Sequence, residues 1–155
     1  MPDTPKNTEV YLDIRNSAPT IDIPLWKQCK KSDNTPFEPW YYRFTGGTDA
    51  DGEQRATDKG DGSWTFTAGN NATKKVEVNL ICASEYSITS VNITYNTEPS
   101  PGNRDVDVFQ AGARQYILKD KNRHRQSGTY GVEVSYTGAN GTTGGIWCDP
   151  GWQNK

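Results

Sequence analysis

Histidine and cysteine are scarce in this chain: one His and three Cys in 155 residues, and both scarcities exclude chemistry. Cys29, Cys82 and Cys148 are odd in number and have no CxxC spacing, so neither a disulfide framework nor a zinc knuckle is indicated. They read as small buried thiols. With His124 as the sole histidine, neither a His-rich metal site nor a triad needing a second histidine can be built, which sets aside classical serine or zinc hydrolysis. No cofactor is indicated. No apolar run approaches the ~18 residues of a membrane span. The start, MPDTPKNTEV, lacks a basic stretch followed by an apolar one, so a cytoplasmic protein without a membrane segment is expected. The net charge of -2, from 17 basic and 19 acidic residues, gives no overall field for nucleic acid or an anionic membrane. Runs of helical period are missing, and the lack of an internal repeat argues against a solenoid or propeller.

What recurs is alternation of apolar and polar residues with period two, the mark of a strand with one buried face. Val10, Leu12 and Ile14 share a face, as do Trp64 and Phe66, then Val76, Val78, Leu80 and Cys82. The pattern continues in Val91, Ile93 and Tyr95, in Val106 and Val108, in Tyr116 and Leu118, and in Tyr130, Val132, Val134 and Tyr136. Clusters such as GGTDADGEQ, DKGDG, AGNNA, NTEPSPGN and TGANGTTGG supply the turns between them. Eight to ten short strands in series predict an all-β, antiparallel two-sheet β-sandwich of immunoglobulin-like kind, a single domain over residues 1–155. Pro24 and Pro39 fall inside strand-like, aromatic segments, which predicts that these two strands lie at sheet edges. Edge strands and abundant aromatics together predict a symmetric homo-oligomer.

Each cluster of polar or aromatic residues has a bland reading beside the functional one. Asp49, Asp51, Glu53, Asp58 and Asp61 are hard oxygen ligands, but Gly47 stands where an EF-hand needs its first carboxylate, so a solvated hairpin loop is expected. No metal site is predicted. Lys119, Lys121, Arg123, His124 and Arg125 form a short basic segment, which reads as a charged hairpin tip that blunts edge pairing. Trp26, Trp40, Tyr41 and Tyr42 would make a stacking platform for a glycan if exposed, or core if not.

The C-terminal segment, residues 148–155, carries the one Asp-Pro pair, Asp149-Pro150. The Asp149 carboxyl group can attack its own main-chain carbonyl, and the departing nitrogen of Pro150 belongs to a tertiary amide whose planarity is more easily lost. A cyclic anhydride would result, open to water or to an amine. A tight turn is the ordinary alternative. Asp149-Pro150-Gly151-Trp152-Gln153-Asn154, with Gly128 to Tyr136 before it, resembles the ending of the DP-EP family, small bacterial β-sandwich proteins that close on Asp-Pro, a hydrophobic residue and Asn. The resemblance covers about the last forty residues. It implies self-cleavage at Asp149-Pro150, capture of the new carboxyl by a lysine, and subunit assembly. Thr129 to Tyr136 contains no lysine, and Lys121 and Lys119 are the nearest in sequence. Asp120, Glu133, Asp105 and Asp107 are the carboxylates available to orient water or take a proton. The expected function is self-processing at Asp149-Pro150, with a glycan-binding or self-assembling module as the alternative from a different class.

Overall fold

In this computed structural model the described residues are 8–15, 20, 26–31, 35–48, 53–56, 59–66, 73–82, 84–121, 123–138, 141–148 and 151–154. The period-two stretches become strands with one face on a common core. In β1 (Thr8–Arg15) Val10, Leu12 and Ile14 are buried, and in β5 (Lys74–Leu80) Val76, Val78 and Leu80 are. The other strands are β2 (Lys27–Lys30), β3 (Pro36–Gly46), β4 (Trp64–Phe66), β6 (Tyr86–Tyr95), β7 (Val106–Gly112), β8 (Gln115–Asp120), β9 (Gln126–Gly138), β10 (Gly141–Cys148) and β11 (Gly151–Asn154). A 3-10 turn at Pro101–Asn103 joins β6 to β7.

The all-β expectation holds; the two-sheet sandwich does not. The eleven strands form one hydrogen-bonded sheet in the order β4-β11-β9-β10-β2-β3-β1-β5-β8-β7, with β6 on the other edge of β9. That sheet curls until its ends nearly close into a barrel. Near the seam the amide of Ile88 in β6 donates to the carbonyl of Ala113, just past β7, at 2.7 Å. The amide of Val106 in β7 donates to the Tyr95 hydroxyl of β6 at 3.2 Å. The reason lies in two long strands that pass neighbours from one edge to the next without a break. β9 pairs with β11 through Gln126–Thr129, with β10 through Val132–Gly138, and with β6 along its opposite edge. β3 pairs with β2 up to Tyr42 and with β1 from Tyr41 onwards.

Two pairings are parallel, β1 with β5 and β4 with β11, so the sheet is mixed. The Pro39 strand, expected at an edge, is interior: β3 has β2 on one side and β1 on the other. Pro39 stands before Tyr41, where β3 has not yet met β1, and a strand with one neighbour tolerates a missing amide. Pro24 lies outside the described residues.

The core is largely aromatic. Trp64 packs 5.1 Å from Tyr130, and Tyr130 5.8 Å edge-on to Phe44, in centroid distances favoured by ring quadrupoles. Tyr130 is wholly buried, so its hydroxyl needs a partner, and it donates to the Gly62 carbonyl at 2.5 Å. Gly62 itself has φ of 77°, a left-handed conformation that glycine adopts without a side-chain clash.

Candidate functional site

The Asp149-Pro150 pair lies outside the described residues, but the chain on both sides of it is held. Cys148 closes β10 opposite Val132, and Gly151 opens β11 opposite Thr129. Two residues separate Thr129 from Val132 on β9, as two separate Cys148 from Gly151, so the register is the same before and after the interruption. Cys148 is buried; Trp147 faces the other way, its ring 3.5 Å from where a Gly131 side chain would begin.

Most of the carboxylates available for catalysis are occupied by structural partners. Asp120 is fully buried at the end of β8, and the Trp64 indole donates to its Oδ2 at 3.1 Å. Trp64 in turn is the parallel partner of Trp152 in β11. Glu133 stands opposite Trp147, and its Oε1 accepts from the Thr89 hydroxyl at 3.0 Å. Asp105, also fully buried, ties down the approach to β9: it accepts from the Arg123 amide at 2.9 Å and the His124 amide at 2.7 Å. His124 Nδ1 lies 2.9 Å from its Oδ1. Thus the basic segment is no free tip; it wraps a buried acid. Asp107 lies at the surface with Lys121, whose Nζ is 3.6 Å from its Oδ2. Lys119 places its Nζ 5.0 Å above the Phe109 ring. The structure therefore joins Asp120 to Trp64, Glu133 to Thr89 and Lys121 to Asp107.

The stacking platform is not assembled on the surface. Trp40 and Tyr42 are 6% and 8% exposed, and Trp40 sits edge-on to Tyr136 at 5.0 Å and to Tyr86 at 5.9 Å. Tyr41 alternates outward, half-buried, and Trp26 is half-buried with the Arg15 guanidinium 4.8 Å from its ring. Of the acidic loop, Asp49, Asp51 and Asp58 lie outside the described residues, and Glu53 is exposed. Asp61 ion-pairs with Arg55 at 2.8 Å and accepts from the Ser63 hydroxyl. Burial alone would raise its carboxyl, but the Ser63 and Arg55 hydrogen bonds outweigh that and hold it low. Among the described residues no three His, Cys, Asp or Glu side chains cluster as a metal site, and no helix is long and apolar enough to cross a membrane. Cys29 and Cys148 are buried and Cys82 half-buried, all as free thiols.

Two polar devices escaped sequence reasoning. Arg114, in the turn between β7 and β8, donates to the carbonyls of Leu80, Cys82 and Tyr86 and so ties β5 to β6. The other is the hold of Asp105, a candidate carboxylate by sequence, on the amides of Arg123 and His124. Neither has a local signature, because their partners lie far away in sequence.

Sheet order and side-chain placement define an all-β protein of one nearly closed, mixed sheet. No protein-family model matches the chain, and no curated protein does. Among solved structures it is similar to an inclusion body protein, PixA, from Burkholderia cenocepacia, with a TM-score of 0.40 and 10% identity over 96% of this chain and 94% of that one.

Proposed function

We propose that this chain is a self-associating β module, whose work is to join copies of itself rather than to transform a substrate. One observation carries the reading: the barrel stops short of closing, so that among the described residues β7 has a ladder only with β8 and meets β6 across the seam just at its two ends. From Asp107 to Gly112 that strand is exposed except at half-buried Val108, and Phe109 is 48% exposed on it. An open strand edge is a template for pairing with another chain, and natural monomers blunt it with charge, proline or a cover. Here Asp107 is the single charge on β7 and Lys121 balances it. Light scattering over a wide concentration range tests the reading. A mass rising to a multiple of 17.2 kDa is the expected result, and a constant 17.2 kDa would overturn it.

A second reading, self-processing at Asp149-Pro150, is favoured by the matched register of Cys148 and Gly151 against β9. Strand pairing holds Cys148 and Gly151 against β9, and intramolecular attack depends on restraint of the reacting chain. Asp149→Asn removes the nucleophile. Denaturing mass spectrometry of aged protein should find a cut in the parent chain and none in the variant; an uncut parent would end this reading.

A further inference from the structure

We propose that Cys29 and Cys148 form a redox site, in which a peroxide joins the two thiols as a reversible cross-strand disulfide that staples β10 to β2. Register places the pair. Trp147 of β10 is paired with Lys30 of β2, and the two strands run antiparallel. The residue after Trp147 therefore stands opposite the residue before Lys30, so Cys148 faces Cys29. Burial agrees: Lys30 is exposed, while Cys29 and Cys148 are both fully buried, as two residues directly opposite on one face should be.

Residues opposed in an antiparallel pair have Cα atoms about 4.5–5.5 Å apart, inside the disulfide range of about 4.4–6.8 Å. Their Cβ atoms need to draw in by about 1 Å to reach disulfide spacing. β2 is four residues long, and among the described residues it shares one ladder pair with β10, whereas all other strand neighbours share three or more. So sparse a join can shift to close the bond. It can also open locally, which gives a small oxidant its way to two buried sulfurs.

The join is also where a bond between strands holds most. On one side of it stand β10, β9, β11, β4 and β6, and on the other β2, β3, β1, β5, β8 and β7. At the opposite limit of the sheet β6 and β7 meet only through the Val106 amide on the Tyr95 hydroxyl and the Ile88 amide on the Ala113 carbonyl. With hydrogen peroxide as oxidant, one sulfur as thiolate attacks a peroxide oxygen. The O–O bond breaks, a sulfenic acid forms, and the departing hydroxide takes up the proton of that thiol as water. The second sulfur then attacks the sulfenic sulfur. The S–S bond forms as the S–O bond breaks, and the hydroxyl leaves with the second thiol's proton as another water. Two thiols give up two electrons, and one peroxide becomes two waters. A dithiol reverses the change by exchange through a mixed disulfide.

The test uses the full chain, treated with hydrogen peroxide at neutral pH, alkylated in urea and digested without reduction. Mass spectrometry should find the Cys29 and Cys148 peptides joined within one chain, and dithiothreitol should part them. Cys82→Ser should form as much of this bridge as the parent. Because the bond closes the long loop from residue 29 to residue 148, oxidation should raise the urea midpoint of the parent by about 1 M. Dithiothreitol should restore the midpoint, and Cys148→Ala should show no such shift. A bridge to Cys82, a bridge between two chains, or Cys29 and Cys148 both recovered alkylated after prolonged oxidation would overturn the site. A bridge that forms and leaves the midpoint where it was would overturn the staple.

Discussion

Burial sets the protonation of the Cys82 thiol, pushing it up from 9.0 to about 11, with the nearby Asp13 carboxylate adding to the rise while the Ile14 backbone and Arg114 work against it. Tyr11 moves in the same direction, from 10.0 to about 12, through burial and its hydrogen bond to Glu9. Tyr86, Tyr95 and Tyr130 are raised by burial as well. In every case the folded chain keeps a proton that the unfolded chain releases sooner. Their contribution to stability is therefore whole below about pH 9 and is lost as pH climbs through the folded values. Urea midpoints should be flat from neutral to about pH 9 and fall steadily towards pH 11; a midpoint unchanged at pH 11 would refute this. The same thiol should react slowly with a disulfide reagent at neutral pH, since the thiolate is the nucleophile.

Asp120, a catalytic candidate by sequence, accepts a hydrogen bond from the Trp64 indole. Asp120→Ala leaves a buried N–H without that acceptor and should cost about 1–3 kcal/mol, read as a lowered urea midpoint. Asp120→Asn retains an oxygen for the indole and should cost less. Equal losses in the two variants would mean that charge, not this hydrogen bond, is what the fold needs.

At the scale of elements, the sequence is informative wherever a strand buries one face by plain alternation. Tyr130, Val132 and Val134 in β9, and Tyr116 and Leu118 in β8, stand inward as their spacing predicts. β6 is subtler: a bulge between Ile88 and Ser90 shifts the phase, so Ile88 and Val91 both point inward although alternation would separate them. β10 and β11 read as turn and tail because Gly, Thr and Asn dominate them, and their pairing partners, not their propensities, make them strands. Closure was illegible for the same reason. Whether strands split into two sheets or continue round one depends on how β3 and β9 hand over their neighbours, which is register between distant segments. Of the candidate site, Asp149-Pro150 was visible as a dipeptide, while the partners of Asp120 and Asp105 needed the fold.

Gly128 gives the element scale a sharp test. A Cβ there would sit 1.7 Å from the Thr94 carbonyl oxygen, on the backbone of β6. Backbone cannot move aside as a flexible side chain can, so Gly128→Ala must break the pairing of β6 with β9 at Tyr95 and Thr94. A loss of more than about 3 kcal/mol, or failure to fold, is the expected outcome. Gly102, with open space where its Cβ would go, is the control, and Gly102→Ala should leave the urea midpoint unchanged.

For the whole molecule, the position of β11 decides what a cut at Asp149-Pro150 would look like. The segment beyond the bond is not a tail: Gly151–Asn154 pairs with Gln126–Thr129 of β9 on one side, and Trp152–Asn154 with Trp64–Phe66 of β4 on the other. Among the described residues β11 is the one strand that forms a ladder with β4, which is otherwise held by single hydrogen bonds such as those of Trp64 to Asp120 and Thr65 to Thr48. Hydrolysis would add one water and leave those pairings in place. The released peptide should therefore remain bound, and native mass spectrometry should show a single species heavier than the intact chain by one water. Denaturing mass spectrometry of the same sample should show two fragments, with Pro150 at the start of the shorter one. Urea should expel the peptide, and β4 should lose amide protection when it leaves, because its ladder to β11 has gone. A nicked protein that sheds the peptide under native conditions would mean that β11 contributes little to holding the barrel, contrary to its place between β4 and β9. A chain that unfolds on nicking would mean the reverse, that covalent continuity through residues 149 and 150 is what keeps β4 attached.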